Sequence, residues 1–369
     1  MNAPVSVSPA EARLCVVEPD GAMRHTLRSE LGLQFAPGDV AVANDAATLP
    51  ASLHGIHVES GAPLEIRLAA WVNLADVSRF TTIAFGPGDY RTPTERRLPP
   101  PPLKAGDRLL LGPLVAHVGR ASHRSRLIEI TFEGDRDWIF SGLARHGQPI
   151  QYAHVAAPPA LSDVWTKLAA EPIAFEPPSA GFALDWRTLA LWRGRGVEFV
   201  TLTHAAGVSS TGDALLDEEL PFDEPYRIPK RVAAAIRRAK SSGARVVAIG
   251  TSVVRALESA AEGLGRVRAG EGVAKGRIGR GTALTIVDAI LTGIHSPGDS
   301  HFELLSAFLD DRTLGDLAAE LARRAYREHE FGDFLLAPRR RGGRAAAAPH
   351  PDPLPAYAGR GDPPLARGP

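Results

Sequence analysis

Two grammars of apolar and polar positions follow one another along the chain. Between Leu64 and Gly134 the apolar residues come as short runs: "LEIRLAAWV" (64–72), "FTTIAF" (80–85), "RLLLGPLVAHVGR" (108–120) and "RLIEITFEG" (126–134). Glycines and prolines separate them, with no helical period between. Closely spaced β-rich runs of this kind predict an antiparallel sheet or small barrel rather than βαβ units. The stiff "LPPPPLKAGDR" segment (98–108) reads as an extended connector, because proline fixes φ and offers no backbone donor.

After Gly147 the pattern alternates between strand and helix. "DWRTLALWRGRG" (185–196) is helical with a glycine exit, and "VEFVTLTH" (197–204) is a strand ending in polar residues. In "KRVAAAIRRAKSSGARVVAIG" (230–250), Val232, Ile236 and Ala239 share one helical face, and Ser-Gly stops the helix before the next strand. "TALTIVDAILTGIH" (282–295) is another apolar run with a polar end. "DSHFELLSAFL" and "LGDLAAELARRAYREH" are amphipathic helices, and "FGDFLLA" (331–337) reads as a closing strand. Upstream, "APGDVAVAND" (36–45) reads as a turn, a short strand and a polar stop. Such alternation predicts a largely parallel sheet, open or closed into a barrel.

The expected organisation is α/β: a barrel-like main domain formed by residues 1–60 and 148–337, interrupted at 61–147 by a small antiparallel β-barrel. Residues 338–369 carry eight prolines and few bulky apolar side chains, so they predict a disordered tail.

Composition narrows the function classes. Lys+Arg and Asp+Glu both total 42, so no overall basic field advertises nucleic acid, although a local patch remains compatible with it. The single cysteine, Cys15, cannot form an internal disulfide or a thiolate zinc site. No signal-peptide pattern and no apolar run of membrane-spanning length is present, which points to the cytoplasm. Nothing in the sequence sets the oligomeric state; a monomer is the simplest expectation.

Ligands of parallel α/β sheets gather at the carboxyl ends of the strands, and four such ends carry suggestive residues. Asn44 and Asp45 follow "VAVA" and suit either a ribose or a turn. His204 leaves a strand into a small-residue loop, where it could move a proton or be structural. Glu219, Asp223 and Glu224 lie further along, in what also reads as a solvated acidic loop. Thr251 and Ser252 open a helix whose free N–H groups favour an anionic group. Arg255 and Glu258, one turn on, could pair with each other. His295 ends another strand, before a Pro-Gly turn and a helix start at Asp299-Ser300. His295 and His301 show no zinc-ligand spacing, so no metal is expected. "GEGVAKGRIGRG" (270–281) lacks any phosphate-loop register and reads as a plain loop.

In this order, "PGDVAVANDAATLPASLHG", "PPSAGF", "VTLTHAAGVSS", "PYRIP", "RVVAIGTSVVRALES", "TIVDAILTGIHSPGDSHFELLSAF" and "HEFGDFLLA" resemble the S-adenosylmethionine:tRNA ribosyltransferase-isomerase family of queuosine biosynthesis. The resemblance runs from Arg13 to Ala337 and implies the same architecture, an α/β barrel with an inserted β-barrel. It implies transfer and isomerisation of the ribosyl part of S-adenosylmethionine onto 7-aminomethyl-7-deazaguanine in tRNA. The products would be epoxyqueuosine-tRNA, adenine and methionine. By this resemblance His204, His295 and Arg255 are candidate catalytic residues. Asn44, Asp45, Ser179, Gly181, Gly207, Glu224, Thr251 and Ser252 are candidates for substrate binding. The chain departs from the family pattern at several polar positions: Ala46-Ala47 replaces Thr-Arg, Val253 replaces Ser and Ala183 replaces His. Two other readings therefore stand beside the first: a relative acting on a different acceptor, and a nucleotide- or RNA-binding protein without chemistry.

Overall fold

The computed structural model describes residues 12–121, 126–151, 159–328 and 331–339. The strands are β1 (Arg13–Val17), β2 (Met23–Leu27), β3 (Val40–Asn44), β4 (Ala46–Thr48), β5 (Ser52–His57), β6 (Pro63–Trp71), β7 (Arg79–Phe85), β8 (Arg108–Leu111), β9 (Leu114–Ala121), β10 (Leu127–Phe132), β11 (Glu171–Ala174), β12 (Glu198–His204), β13 (Glu224–Ile228), β14 (Val246–Ile249), β15 (Gly270–Ala274), β16 (Ala289–Gly293) and β17 (Phe334–Pro338). The helices are α1 (Arg136–His146), α2 (Trp186–Gly194), α3 (Ala214–Asp217), α4 (Lys230–Ser242), α5 (Thr251–Ser259), α6 (Ser300–Leu304) and α7 (Asp311–Arg323).

Nine strands form one sheet in the order β15-β13-β12-β3-β14-β16-β17-β1-β2. The sheet has two ends, so of the two forms the sequence left open it takes the open one. Its centre, β12-β3-β14-β16, is parallel, whereas β13, β15 and β2 run antiparallel to their neighbours. Period-two alternation divides the core between the two faces. Cys15, Val40, Val42, Val246 and Ala248 pack on one face with α4, α5 and α7. Leu14, Ala41, Ala43, Val247 and Ile249 pack on the other with Trp192 and Phe35, whose rings stand 4.4 Å apart. Burial on both faces is why these strands read as continuous apolar runs.

The inserted unit is a closed antiparallel barrel, β10-β7-β6-β5-β8-β9. Its first strand, β5, begins at Ser52, ahead of the expected residue 61. Only Leu53 and Ile56 of "SLHGIH" are bulky and apolar, so this strand carries no apolar run to announce it. Helix α1, capped by the Asp135 carboxylate accepting from Trp138 N, closes the insertion; the β-rich reading had passed over it. At the other end, β17 runs through Pro338, and Arg339 Nη2 donates to Asp288 Oδ1 at 3.0 Å. Regular structure thus reaches past the start of the expected tail at 338, and the rest of that tail, residues 340–369, lies outside the described residues.

Candidate active site

The carboxyl ends of β3, β12, β14 and β16 lie side by side in the sheet, and a cleft opens beside them. It encloses about 830 Å³ of empty space, counted out to open solvent. Ser179 and Ala180 line one wall, Gly207 to Ser209 another, and Gly250, Thr251, Ser252 and Arg255 the floor. Glu176, Glu224, Arg277, Thr292, His295 and His301 also line it.

The floor is set by the joint between β14 and α5. Gly250, at φ +103°, turns the chain where a side chain would be strained, and a Cβ there would meet Ala180 Cβ at 3.4 Å. The first turn of α5 then offers Thr251 and Ser252 beside unsatisfied N–H groups, an arrangement suited to an anion.

Beneath lies a buried charge network. Arg255 is 5% exposed, and its Nη2 lies 3.2 Å from each of the carbonyls of Phe222, Ala274 and Gly276. Its Nη1 contacts Glu224 Oε2 directly. Glu224 Oε1 accepts from Gly207 N at 2.6 Å, so one carboxylate ties the cleft wall to the floor arginine. Burial draws the Arg255 guanidinium down to about 10, with Asp223 opposing. His204 is fully buried, its Nε2 3.3 Å from Glu224 Oε2 but outside hydrogen-bond geometry. Burial, reinforced by Arg255, pushes its imidazole down to about 3, so the ring is neutral at pH 7.

Seven of the eleven expected site residues line this cleft: Ser179, Gly207, Glu224, Thr251, Ser252, Arg255 and His295. His204 sits behind it. Asn44 lies outside the lining: its Nδ2 donates to the His204 carbonyl at 2.9 Å and to the cleft residue Ser252 Oγ at 3.4 Å, and its Oδ1 accepts from the amides of His204 and Ala46 at 3.0 Å. Asp45 accepts from Thr203 Oγ1 at 2.7 Å and does not reach the lining. Gly181 packs against Thr166, where a Cβ would come within 3.0 Å of Cγ2. The anticipated Arg255–Glu258 pair does not form. Glu258 instead accepts from the amides of Thr285, Ile286 and Val287 and from Thr285 Oγ1 at 2.8–3.0 Å.

Several cleft residues escaped the sequence reading. Arg277, within the segment taken as a plain loop, donates from Nη2 to the Asp217 carbonyl at 2.8 Å and from Nε to that of Leu220. Glu176 Oε1 accepts from Ser209 N at 3.0 Å and bridges two walls. His301, weighed with His295 in the sequence only as a metal ligand, brings its ring centroid to 4.6 Å from that of His295, tilted by 57°. Among the described residues, the one group with metal-ligand spacing is His57, Glu59 and Asp107, on the barrel and outside the cleft lining. There His57 Nε2 lies 3.0 Å from Asp107 and 3.1 Å from Glu59, and its Nδ1 is bonded to Ser60.

The profile of the queuosine biosynthesis protein family matches residues 2–337. S-adenosylmethionine:tRNA ribosyltransferase-isomerase of Citrifermentans bemidjiense is 32% identical over 90% of this chain and 94% of its own length. The protein of the same name from Thermus thermophilus is 33% identical over 88% and 92%. The crystal structure of S-adenosylmethionine tRNA ribosyltransferase from Thermotoga maritima overlays 91% of this chain and 95% of that one, with 22% identity and a TM-score of 0.47. With the profile spanning nearly all of the described residues, the chain belongs to the queuosine biosynthesis protein family.

Proposed function

We propose that the chain is an S-adenosylmethionine:tRNA ribosyltransferase-isomerase. It would move the ribosyl group of S-adenosylmethionine to the 7-aminomethyl-7-deazaguanine base of tRNA and release adenine and methionine. The observation that carries this reading within the structure is the convergence of His295, Thr251, Ser252 and Arg255 on one cleft, in a chain of this family.

The reaction needs a group that removes a proton beside the sulfonium, whose positive charge acidifies that C–H bond. It also needs donors for the methionine carboxylate and a rigid polar surround. The first turn of α5 supplies donors through Thr251 and Ser252. Of the two histidines expected to move the proton, His295 has the access, and His301 stands beside it. His204 has no access to the cleft and, with its imidazole pushed down to about 3, is a poor proton acceptor at neutral pH. It acts with Glu224 and Arg255 as the rigid base on which the wall residue Gly207 is held. S-adenosylmethionine is the co-substrate, tRNA the acceptor, and no residue of the cleft calls for a metal. No helix among the described residues is long and apolar enough to cross a membrane. A cytoplasmic monomer is the form proposed.

The test is adenine release from S-adenosylmethionine in the presence of tRNA bearing the aminomethyl-deazaguanine base. Release that requires this tRNA is expected. Release without it, or binding without release, would replace the reading by the other-acceptor or non-catalytic alternative.

A further inference from the structure

The inserted barrel contains a second polar centre, outside the cleft, with more positive charge than its partners neutralise. Arg67, Arg97 and Arg126 place their guanidinium carbons 4.8, 5.0 and 4.8 Å from the centre of the Phe85 ring. One buried carboxylate serves them: Glu65 accepts from Arg67 Nε at 2.7 Å and from Arg97 Nη1 at 2.5 Å. Burial works against ionising Glu65, but the two arginines outweigh it and hold its carboxyl below the usual range. A further acid, Asp213, acts on Arg126 electrostatically while its Oδ1 accepts from Leu215 N at the start of α3. Three guanidiniums thus gather around one carboxylate that is already engaged by two of them.

Two donors in this centre have no acceptor. Arg97 Nε and Arg126 Nη1 are buried with no hydrogen-bond partner among the described residues. The Arg97 side chain is only 1% exposed, so a missing acceptor there is costly. Gly88 is exposed, and the nearest atom a Cβ would meet there is Arg97 Nε at 3.3 Å. The Gly88 carbonyl accepts from Arg97 Nη2 at 3.1 Å, and the missing side chain keeps a methyl group off the neighbouring Nε.

We propose that this centre is an oxyanion site for a phosphate group, held by Arg97 Nε and Arg126 Nη1. Guanidinium donors match phosphate oxygens in geometry as well as charge. The same chemistry could come from free phosphate or from a nucleic-acid backbone; the second source rests on the tRNA reading above, the first does not.

The test uses the full-length protein, with Arg126→Gln as the main variant, because among the described residues the Arg126 side chain hydrogen-bonds to the Arg97 carbonyl alone. Gly88→Ala is the second variant: it sets a methyl group 3.3 Å from Arg97 Nε and removes no charge, and because φ is +128° there its melting temperature is measured alongside. Inorganic phosphate is titrated calorimetrically against chloride at equal ionic strength. Binding of an unmodified tRNA transcript is followed by fluorescence anisotropy at several salt concentrations. For a site serving free phosphate, both variants weaken phosphate binding about tenfold or more, and RNA binding is unchanged. For a site serving the RNA backbone, Arg126→Gln weakens the transcript several-fold and lowers the salt slope by about one unit. Wild type and both variants behaving alike in both assays overturns the proposal and leaves the donors to water. Adenine release enters neither readout, so failure here is separable from failure of the enzymatic reading.

Discussion

His204 and His295 both stand where a parallel strand ends, yet burial divides what they can do. Above pH 6.5 His204 is neutral in folded and unfolded chains alike. As pH falls from 6.5 towards 3, the unfolded chain takes up a proton that the buried ring refuses, so stability declines through that window. His204→Gln is expected to flatten the stability–pH profile there by one proton, measured by denaturant unfolding between pH 7 and 4. An unchanged slope would show that the ring is protonated in the fold. His295→Gln, by contrast, is expected to cut the rate of adenine release by about 10²-fold or more while the melting temperature holds. If His204→Gln abolished turnover and His295→Gln left it intact, the proton-transfer role would pass to the buried residue. The sequence could place both histidines at strand ends, because the apolar runs before them are plain. It could not tell which ring meets solvent, since that depends on Glu224 and Arg255, which arrive from separate elements.

Helix α5 shows the same division at the scale of an element. The "VVAIGTSVV" pattern sufficed to predict strand, glycine corner and helix, because local periodicity and backbone strain determine them. Where its two charged residues would go was not legible. Arg255 and Glu258 lie one turn apart and diverge, one to the carbonyls of the 222 and 274–276 segments, the other to the amides of 285–287. Both destinations lie at loops and at the end of a strand, and sequence gives no address for those. Glu258→Gln should therefore cost about 2–4 kcal/mol in chemical denaturation, since one acceptor oxygen facing these donors becomes an NH2. Adenine release per folded molecule should stay near wild type, because Glu258 does not line the cleft. Gly250→Ala should behave differently. At φ +103° it should cost about 1–3 kcal/mol and slow turnover as well, because the corner sets the direction of Thr251 and Ser252.

Across the whole molecule, barrel and main sheet share side chains at the cleft. Phe175, which follows β11, inserts its ring beside Trp71 and Phe80 of the barrel, at 5.7 and 6.2 Å. Its amide donates to the carbonyl of Ala206, a cleft-wall residue, at 2.9 Å. Trp71 Nε1 reaches back to the Ile173 carbonyl at 2.7 Å, and Val208 and Leu220 of the cleft loop belong to the same buried cluster as the barrel core. The two grammars of the sequence correctly separate these units by type, yet their dependence on one another is invisible in either, because it is built by a few residues between the regular elements. A shared core of this kind makes the barrel a support for the cleft rather than an appendage. Calorimetry of the wild type should accordingly show a single unfolding transition. Phe175→Ala should lower stability by about 3–5 kcal/mol. It should also reduce adenine release per folded molecule, since the cavity loosens Ala206 and Gly207 and through them Glu224. Two resolved transitions, with the mutation shifting only the barrel's, would mean that the cleft stands without it.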